Sequence, residues 1–505
     1  MAAKGSQERI KEPERHAAVR RGTPESPPAG VISRWRTYRS VPAALVLLLL
    51  GILAAGCKYT AAPADLLQKP PISSEKQRLV QAVSDLLPEY SKLALPLREQ
   101  KSEAIRLVDI DHDGSDEAVV SYFNEYNAPE LMVLSRKNGS WKQWALIEQP
   151  LARQLDLLQI ADLNNDGTME LIVGWSGNGS FDSPNILSLY TFEQKPKLNE
   201  EGKPVLAAAE SMPYIYADLG DVNGDGSKEL AVITSSGSSE QADMPDYFLT
   251  LYRWNGYHLA DVQQIQLPSD VNQYDRLLMG KVSARKNGII VEASIGAHSS
   301  YTIMFAWDNG KLKKVPADDP YEEPSWAPVQ NGDVNGDGIL ELAELVQPPD
   351  SDDVPYVGMM WITRWNQWDG DKGFRRIMEE YSNYGYSFRF AFPESWYGHY
   401  TIGSPAGSPK YSVAEFDYWN EKGGVRAELA TLYVVPQQQW DEYQAEMKDA
   451  GRPLNILMTA SGLVYAVHLA DGAPESLPSG NKKSFESMLL TTEQAKGCLS
   501  LIQDN

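Results

Sequence analysis

Four segments of the chain repeat acidic and amide residues at a spacing that suits a hard cation. Each reads D-x-[DN]-x-D-G-x-x-E and precedes an apolar stretch. Oxygen ligands at positions 1, 3 and 5 can wrap an ion, the glycine at position 6 permits a tight turn, and position 9 adds an acid. The predicted ligands are Asp109, Asp111, Asp113, Glu117, Asp162, Asn164, Asp166, Glu170, Asp221, Asn223, Asp225, Glu229, Asp333, Asn335, Asp337 and Glu341. Because Ca²⁺ accepts about six to eight oxygens, four structural Ca²⁺ sites are expected.

Other interpretations of these loops fit the spacing less well. An EF-hand needs a glutamate at position 12, where the chain has Val120, Val173, Val232 and Glu344. Glu344 alternates with apolar neighbours, so we expect it to face solvent. A dockerin would place its two loops much closer together, and Mg²⁺ would need a tighter octahedron. Turns of Asp, Asn and Gly that bind no metal are the remaining alternative.

The interval between loops predicts the architecture. The loops start at residues 109, 162, 221 and 333, so the last interval is about twice the others. A further unit is therefore expected near residue 280, where Lys281 to Glu292 keeps the turn glycine, as Gly288, and an apolar strand but lacks the acids. We expect this unit to bind no metal and to carry basic residues in its place. Units of about 55 residues are typical of four-stranded propeller blades.

Asn-Gly pairs mark a second repeated feature. Asn138-Gly139, Asn255-Gly256 and Asn309-Gly310 each follow a strand-like stretch, with a weaker copy at Arg364-Trp365-Asn366. Asn-Gly readily adopts the positive φ angles that a tight hairpin requires. Each unit is therefore expected to contain a cation loop and an antiparallel hairpin.

These loops and their period resemble the FG-GAP/VCBS repeats, which form the calcium-loop blades of integrin-α-type β-propellers. The resemblance covers about residues 100–380 and implies a β-propeller whose loop residues hold structural Ca²⁺. The chain departs from the family at loop position 9, where it has Glu instead of the more common Asp. Five units are recognisable, whereas the integrin members have seven blades. The expected fold is mostly β: a propeller of about five blades, followed by a small α+β domain.

The first 57 residues predict export. Nine Lys/Arg and four acids in residues 1–40 precede an apolar run at 41–55, which is too short for a comfortable membrane span. The run ends Leu53-Ala54-Ala55-Gly56-Cys57, which resembles the lipobox of bacterial lipoproteins and implies lipidation of Cys57. The protein is then expected on the extracytoplasmic face of a bacterial cell membrane, held only by its lipid anchor. An ordinary signal peptide or a short signal anchor is the alternative.

The remaining chain divides by composition and pattern. Expected strands in the C-terminal part cover about residues 388–392, 399–403, 411–417, 424–435, 454–460 and 463–469. A helix is expected after Pro436, and a second helical stretch over 482–502. The predicted divisions are a lipoprotein signal peptide at 1–57, a tether at 58–73, a short helix and lead-in at 74–100, the propeller at 101–380, and an α+β domain at 381–505.

Charge and motifs limit the function classes. The chain has 46 Lys+Arg and 68 Asp+Glu, a net charge of −22, which disfavours nucleic acid and anionic lipid head groups as partners. Zinc-protease, hydrolase-elbow, phosphate-loop and cysteine-nucleophile motifs are missing from the sequence, although a dispersed catalytic set stays open. We therefore favour a cell-surface module that binds a protein or glycan, with no catalytic residues assigned. The alternative is a secreted carbohydrate-active or other hydrolytic enzyme on a propeller scaffold.

Overall fold

The computed structural model describes most of the chain after residue 73. The described residues are 74–98, 103–177, 185–236, 245–296, 299–315, 330–405, 407, 409–422 and 424–502. The predicted signal peptide, Cys57 and the predicted tether lie outside the described residues. Among the residues that are described, the helices are too short or too polar to cross a membrane.

The described chain is mostly β-structure, as expected. It begins with helix α1 (Ser74–Leu86), which is amphipathic, is followed by Pro88, and packs Leu79 and Val83 against the first sheet. Segments rich in branched apolar residues, such as Ala118-Val-Val and Leu171-Ile-Val, form the buried strands that follow.

Residues 92–213 form two sheets. Sheet 1 begins with five strands: β1 (Lys92–Leu93), β2 (Ile105–Val108), β3 (Glu117–Phe123), β4 (Pro129–Lys137) and β5 (Ser140–Glu148). Sheet 2 follows with β6 (Gln154–Ala161), β7 (Glu170–Ser176) and β8 (Ile186–Thr191). The strands β9 (Lys197–Leu198) and β10 (Pro204–Val205) extend sheet 1, and β11 (Glu210–Pro213) joins sheet 2 beside β8. Apart from the parallel β10–β5 contact, the pairs are antiparallel.

Two four-stranded antiparallel meanders come next. Sheet 3 contains β12 (Tyr216–Gly220), β13 (Glu229–Ser235), β14 (Tyr247–Trp254) and β15 (Leu259–Leu267). Sheet 4 contains β16 (Gln273–Ser283), β17 (Lys286–Ser294), β18 (Ser300–Asp308) and β19 (Lys311–Lys314). Sheet 4 is the unit expected without acids, and its first two strands are joined directly by Ala284 and Arg285. The expectation that Gly288 would keep its turn role is wrong, because Gly288 lies inside β17 opposite Gly280 and Ala306.

Sheet 5 combines strands that follow the fourth loop with a short strand from the C-terminal part of the chain. Its first four strands are β20 (Leu342–Val346), β21 (Ile362–Trp368), β22 (Phe374–Asn383) and β23 (Phe388–Ala391). The predicted weak hairpin copy around Trp365 is wrong, since that residue lies within β21 and the turn falls at 369–373. There Asp369 accepts backbone N–H groups of Asp371, Lys372 and Gly373 and replaces the Asn-Gly pair.

Sheet 6 and three helices complete the described chain. The strands are β24 (Tyr400–Gly403), β25 (Ser412–Asn420), β26 (Val425–Pro436), β27 (Asn455–Ala460) and β28 (Leu463–Leu469), close to the predicted positions. The helices are α2 (Trp440–Asp449), α3 (Ser479–Glu486) and α4 (Thr492–Cys498), with 3-10 turns at Tyr356–Gly358, Glu394–Trp396 and Gln437–Gln439. The predicted single helical stretch at 482–502 is wrong, because the short strand β29 (Leu499–Leu501) ends it and pairs with β23.

Successive sheets share their cores in chain order. Sheets 1 and 2 pack through residues such as Val133 and Leu171, and sheets 2 and 3 through Ile172 and Val232. Sheets 3 and 4 pack through a third apolar cluster, and sheets 4 and 5 through a fourth that contains Trp368. Each of sheets 2, 3 and 4 therefore buries one face against the preceding sheet and the other against the next, which leaves turns and loops at the strand ends.

Candidate metal centres

The position-1 aspartate shapes each of the four loops. Its Oδ1 accepts the backbone N–H of position 5 at 3.1 or 3.2 Å, and its Oδ2 accepts that of position 6 at 2.9 or 3.0 Å. Short Asp side chains favour such bonds to their own backbone. The glycine at position 6 has φ between +81° and +94° in the four loops, as the spacing predicted. All four segments therefore fold into the same turn.

Position 4 also requires a left-handed backbone. His112 and Asn165 have φ of 60°, and Gly224 and Gly336 have φ of 78° and 76°. Gly and Asn adopt this region most readily, which explains their use at three of the four positions. His112 is exposed, as expected for position 4.

The position-9 glutamate is buried beneath each loop. One carboxylate oxygen, Oε2, accepts the backbone N–H of position 2 at distances from 2.9 to 3.2 Å in all four loops. Burial raises the pKa of Glu117 and of Glu170 to about 7, with the neighbouring Asp carboxylates adding to the shift. Burial also raises the pKa of Glu229 and Glu341. A buried carboxylate under two or three further acids favours a cation that would hold it ionised.

Two of the four loops bring three carboxylates together. Carboxylate oxygens of Asp109, Asp111 and Glu117 lie within 4.8 Å of one another, and so do those of Asp333, Asp337 and Glu341. These loops could hold a metal ion by geometry as well as by sequence. Loops 2 and 3 do not bring three acids this close in the part of the chain that the structure describes. In loop 2, Asp166 instead accepts hydrogen bonds from Asn164 and Thr168, which lower its pKa.

Loop 1 borders a small cavity of about 200 Å³. Asp111, Asp113 and Glu117 line it, together with Ser135, Arg136 and Lys137 from β4. The Ser135 hydroxyl is buried and has no hydrogen-bond partner among the described residues. Since buried hydroxyls are normally bonded, this oxygen is a further candidate ligand beside the acids. The cavity has room for an ion with coordinated water, because one water occupies about 30 Å³.

The residue opposite the position-9 glutamate on the next strand differs among the loops. The strand registers place Thr191 opposite Glu170 and Arg253 opposite Glu229. When the registers of the neighbouring strand pairs are extended by one residue, Ser135 is opposite Glu117 and Gln367 is opposite Glu341. The sequence did not predict these four partners, which in the order of the loops are Ser135, Thr191, Arg253 and Gln367. Their position follows from the pairing between neighbouring strands, which the loop motif does not contain.

Neighbouring loops and units touch each other through hydrogen bonds. The Met169 N–H donates to the Ile110 carbonyl at 3.0 Å, and the Asn165 amide donates to Ser227 at 3.1 Å. In sheet 4, whose unit lacks the acidic loop, the Asn287 amide donates to the Asp221 carbonyl at 2.7 Å, and the Lys281 carbonyl accepts from the Leu340 N–H at 2.8 Å. The loops therefore stabilise one another as well as their own sheets, so a change in one loop can reach the next.

A larger cavity of about 550 Å³ lies on one face of sheet 5. Aromatic and polar side chains line it together, including Trp361, Tyr384, Glu380, Asn383 and Arg389. Burial raises the pKa of Glu380, while the nearby Arg389 opposes the rise. Aromatic faces beside a few polar groups are typical of small-molecule and sugar sites. The sequence did not single out this cavity, because its lining residues share no motif and come together only through the pairing of four strands of sheet 5.

Comparison with known proteins gives low similarity throughout. No family model matches the chain, and no curated protein matches it. Among solved structures, a candidate 6-phosphogluconolactonase from Bacteroides uniformis is 10% identical, with 63% of this chain and 82% of that chain covered and a TM-score of 0.27. The exotype rhamnogalacturonan lyase YesX is 13% identical, covering 66% and 83%, with a TM-score of 0.27. The Bacillus licheniformis rhamnogalacturonan lyase PL11 is 12% identical, covering 68% and 85%, with a TM-score of 0.26. At these values the likenesses assign no activity.

Proposed function

We propose that the chain is a calcium-stabilised β-propeller of about five blades that acts as a binding module. The observation that carries this proposal is the common hydrogen-bonded turn in all four loops, with three converging carboxylates in loops 1 and 4. The serial packing of consecutive antiparallel sheets supports the propeller. Ca²⁺ is the cation that fits, because every predicted side-chain ligand is a carboxylate or amide oxygen. Loops 1 and 4 are its best-formed sites, and loop 2 has the same ligand types as loop 4.

Calcium titration of the full chain tests the structural role of the metal. Ca²⁺ should raise the melting temperature above that measured in EGTA, whereas the same concentration of Mg²⁺ should raise it less. The substitution Asp333→Asn should remove part of the calcium effect, and Asp371→Asn, in an exposed turn outside the loops, should not. An identical melting temperature in Ca²⁺ and EGTA would end the calcium proposal.

We also propose that the protein is an extracytoplasmic lipoprotein of a bacterial cell membrane. The support is the basic leader, the short apolar run and the lipobox-like sequence ending at Cys57. A clickable fatty acid fed to expressing cells should label the wild-type chain and leave Cys57→Ser unlabelled. An equally labelled Cys57→Ser protein would contradict lipidation at this residue.

The cavity of sheet 5 favours a glycan among the ligands that a surface module could bind. Sugars stack on aromatic faces and exchange hydrogen bonds with carboxylate, amide and guanidinium groups, and all of these line the cavity. Trp361 is partly exposed there and lies against Tyr356, with ring centroids 5.6 Å apart. Binding to arrays of cell-wall glycans should weaken in Trp361→Ala and persist in Tyr257→Ala, which changes an exposed aromatic residue elsewhere. Equal weakening in both variants would separate glycan binding from this cavity.

The hydrolytic alternative receives less support from the same cavity. Glycoside hydrolysis commonly uses two carboxyl groups, one on each side of the scissile bond. Glu380 is the single carboxyl residue among the described residues that line the cavity. Release of reducing ends from those glycans, abolished in Glu380→Gln, would establish the enzyme instead of the binding module.

A further inference from the structure

The third loop differs from the others because a positive side chain already lies among its carboxylates. Arg253 comes from β14, directly opposite Glu229 in the strand register. Its Nη2 lies 2.7 Å from Glu229 Oε1 and 3.1 Å from Asp225 Oδ2. The Arg253 Nε is 3.3 Å from the same Glu229 oxygen. The guanidinium thus joins positions 5 and 9, which are two of the three acid positions that converge in loop 4.

Hydrogen bonds occupy both oxygens of Glu229. Oε1 accepts from Arg253 and from the Asn223 amide, and Oε2 accepts from the Val222 N–H at 3.2 Å. The Glu229 side chain is fully buried, so its charge requires a partner inside the protein. Arginine is permanently charged and suits planar contact with carboxylates, so it fulfils this need without a metal.

The other loops place uncharged residues where loop 3 has Arg253. Ser135 and Thr191 carry a hydroxyl, and Gln367 carries an amide that donates to Glu341 at 2.8 Å and to Asp337 at 3.0 Å. A hydroxyl can coordinate a cation, and an amide can turn its oxygen toward one. A guanidinium has only donors, and its charge repels a divalent ion placed beside the same carboxylates.

We propose that Arg253 replaces the metal ion in loop 3, so this loop keeps the calcium-loop turn but binds no Ca²⁺. This inference rests on the proposed calcium binding of the other loops. It lowers the maximum number of loop sites from four to three. Loop 3 should then keep its conformation when Ca²⁺ is withdrawn, and it would support its neighbours through the Asn165–Ser227 and Asn287–Asp221 hydrogen bonds.

Isothermal titration of Ca²⁺ into the full-length chain tests the proposal through stoichiometry. Arg253→Ser places in loop 3 the residue type found opposite Glu117, and it should bind one more Ca²⁺ than the wild type. Arg253→Lys keeps a cation at this place and should retain the wild-type number. An unchanged number of sites in Arg253→Ser would overturn the proposal.

Two matched substitutions keep the test valid if Arg253→Ser fails to fold. Asp225→Asn and Asp337→Asn change the same loop position in loops 3 and 4. Asp337→Asn should remove one Ca²⁺, and Asp225→Asn should remove none. Loss of one Ca²⁺ in Asp225→Asn would show that loop 3 binds metal despite Arg253. Absence of Ca²⁺ binding by the wild type would instead reject the proposed function. The failure of the proposed function and that of the loop 3 proposal remain distinguishable, because Arg253→Ser would gain one Ca²⁺ site only if Arg253 excludes the ion from loop 3.

Discussion

The buried acids of the molecule lie in two different settings. In the loop region (residues 105–346), the loop glutamates Glu117, Glu170 and Glu341 form no ion pair with a Lys or Arg of the described chain. Two buried acids on strands outside the loops, Asp156 and Glu292, pair with Arg98 and Arg276. In the arginine-paired region (residues 362–469), the buried acids Asp417 and Glu379 have their cations built in. Arg426 lies 2.6 Å from Asp417, and both Arg364 and Arg376 lie within 2.9 Å of Glu379.

Because of this difference, the stability of the two regions should depend differently on solution conditions. A cation attached to the chain is always present, whereas a cation from solution is present only above its dissociation constant. The loop region should therefore respond to calcium, and the arginine-paired region should not. Loop 3 belongs to the second type although its sequence belongs to the first, because Arg253 comes from another strand.

The largest expected effect follows calcium withdrawal. Each occupied site contributes about 2.7 kcal/mol when free Ca²⁺ is 100 times its dissociation constant, so two sites contribute several kcal/mol. Hydrogen exchange in EGTA should accelerate at residues 109–123 and 333–346, while residues 425–469 should keep their rates. Equal acceleration in both regions would remove the distinction between them.

Breaking one built-in pair should have the next largest effect. Arg426→Ala leaves Asp417 buried without its partner, which costs about 3 to 5 kcal/mol of unfolding free energy at pH 8. Urea denaturation should give the same loss in Ca²⁺ and in EGTA. Lys422→Ala, an exposed substitution in the same hairpin, serves as the control and should change stability little. If calcium restored the stability of Arg426→Ala, the contrast between the loop region and the arginine-paired region would be contradicted.

Lowering the pH should weaken the calcium affinity of loops 1 and 2. Without metal, Glu117 and Glu170 have pKa values of about 7, raised mainly by burial, so Ca²⁺ must displace their protons. Where one proton leaves per site, affinity should fall by up to about tenfold per pH unit below 7. Titrations at pH 6 and 8 in buffers of different ionisation enthalpy measure this release directly. A pH-independent affinity with no proton release would contradict the burial of ionisable ligands.

The same pKa values determine the direction in which the stability of the metal-free protein changes with pH. A carboxyl whose folded pKa is raised stabilises the fold fully below its unfolded pKa, and this contribution is lost as the pH rises through about 7. In EGTA, stability arising from Glu117 and Glu170 should therefore decline between about pH 4.5 and 7. Ca²⁺ should suppress that decline, since it stabilises the ionised carboxylates.

The smallest expected effect concerns a helix end in the C-terminal part. The Thr491 hydroxyl accepts the Gln494 N–H, and the Gln494 side chain accepts the Thr491 N–H, which together form a capping box for α4. Thr491→Ala should lower the unfolding free energy by about 1 kcal/mol, equally in Ca²⁺ and EGTA. Thr492→Ala, one residue into the helix, is the matched control. A loss that appears only in EGTA would link this helix to the loops.

Local chemistry explains what the sequence could predict. The loop turns depend on Asp and Gly residues within nine positions, and the C-terminal strands depend on alternation within each segment. Register and long-range pairing were not accessible, because they depend on contacts between distant strands. Arg253 reaches Glu229 only through the β13–β14 register, and the end of the predicted helical stretch pairs as β29 with β23.

The pairing of β29 with β23 also constrains how the protein matures. Leu499 lies opposite Phe390, so one edge of sheet 5 stays open until β29 pairs with β23. During that interval, the backbone of β23 offers unpaired N–H and C=O groups, which are the groups that drive edge-to-edge aggregation. Completion of sheet 5 is therefore a separate folding step, because β29 follows sheet 6 in the chain. A chaperone that shields exposed strand edges would act most usefully just before that step.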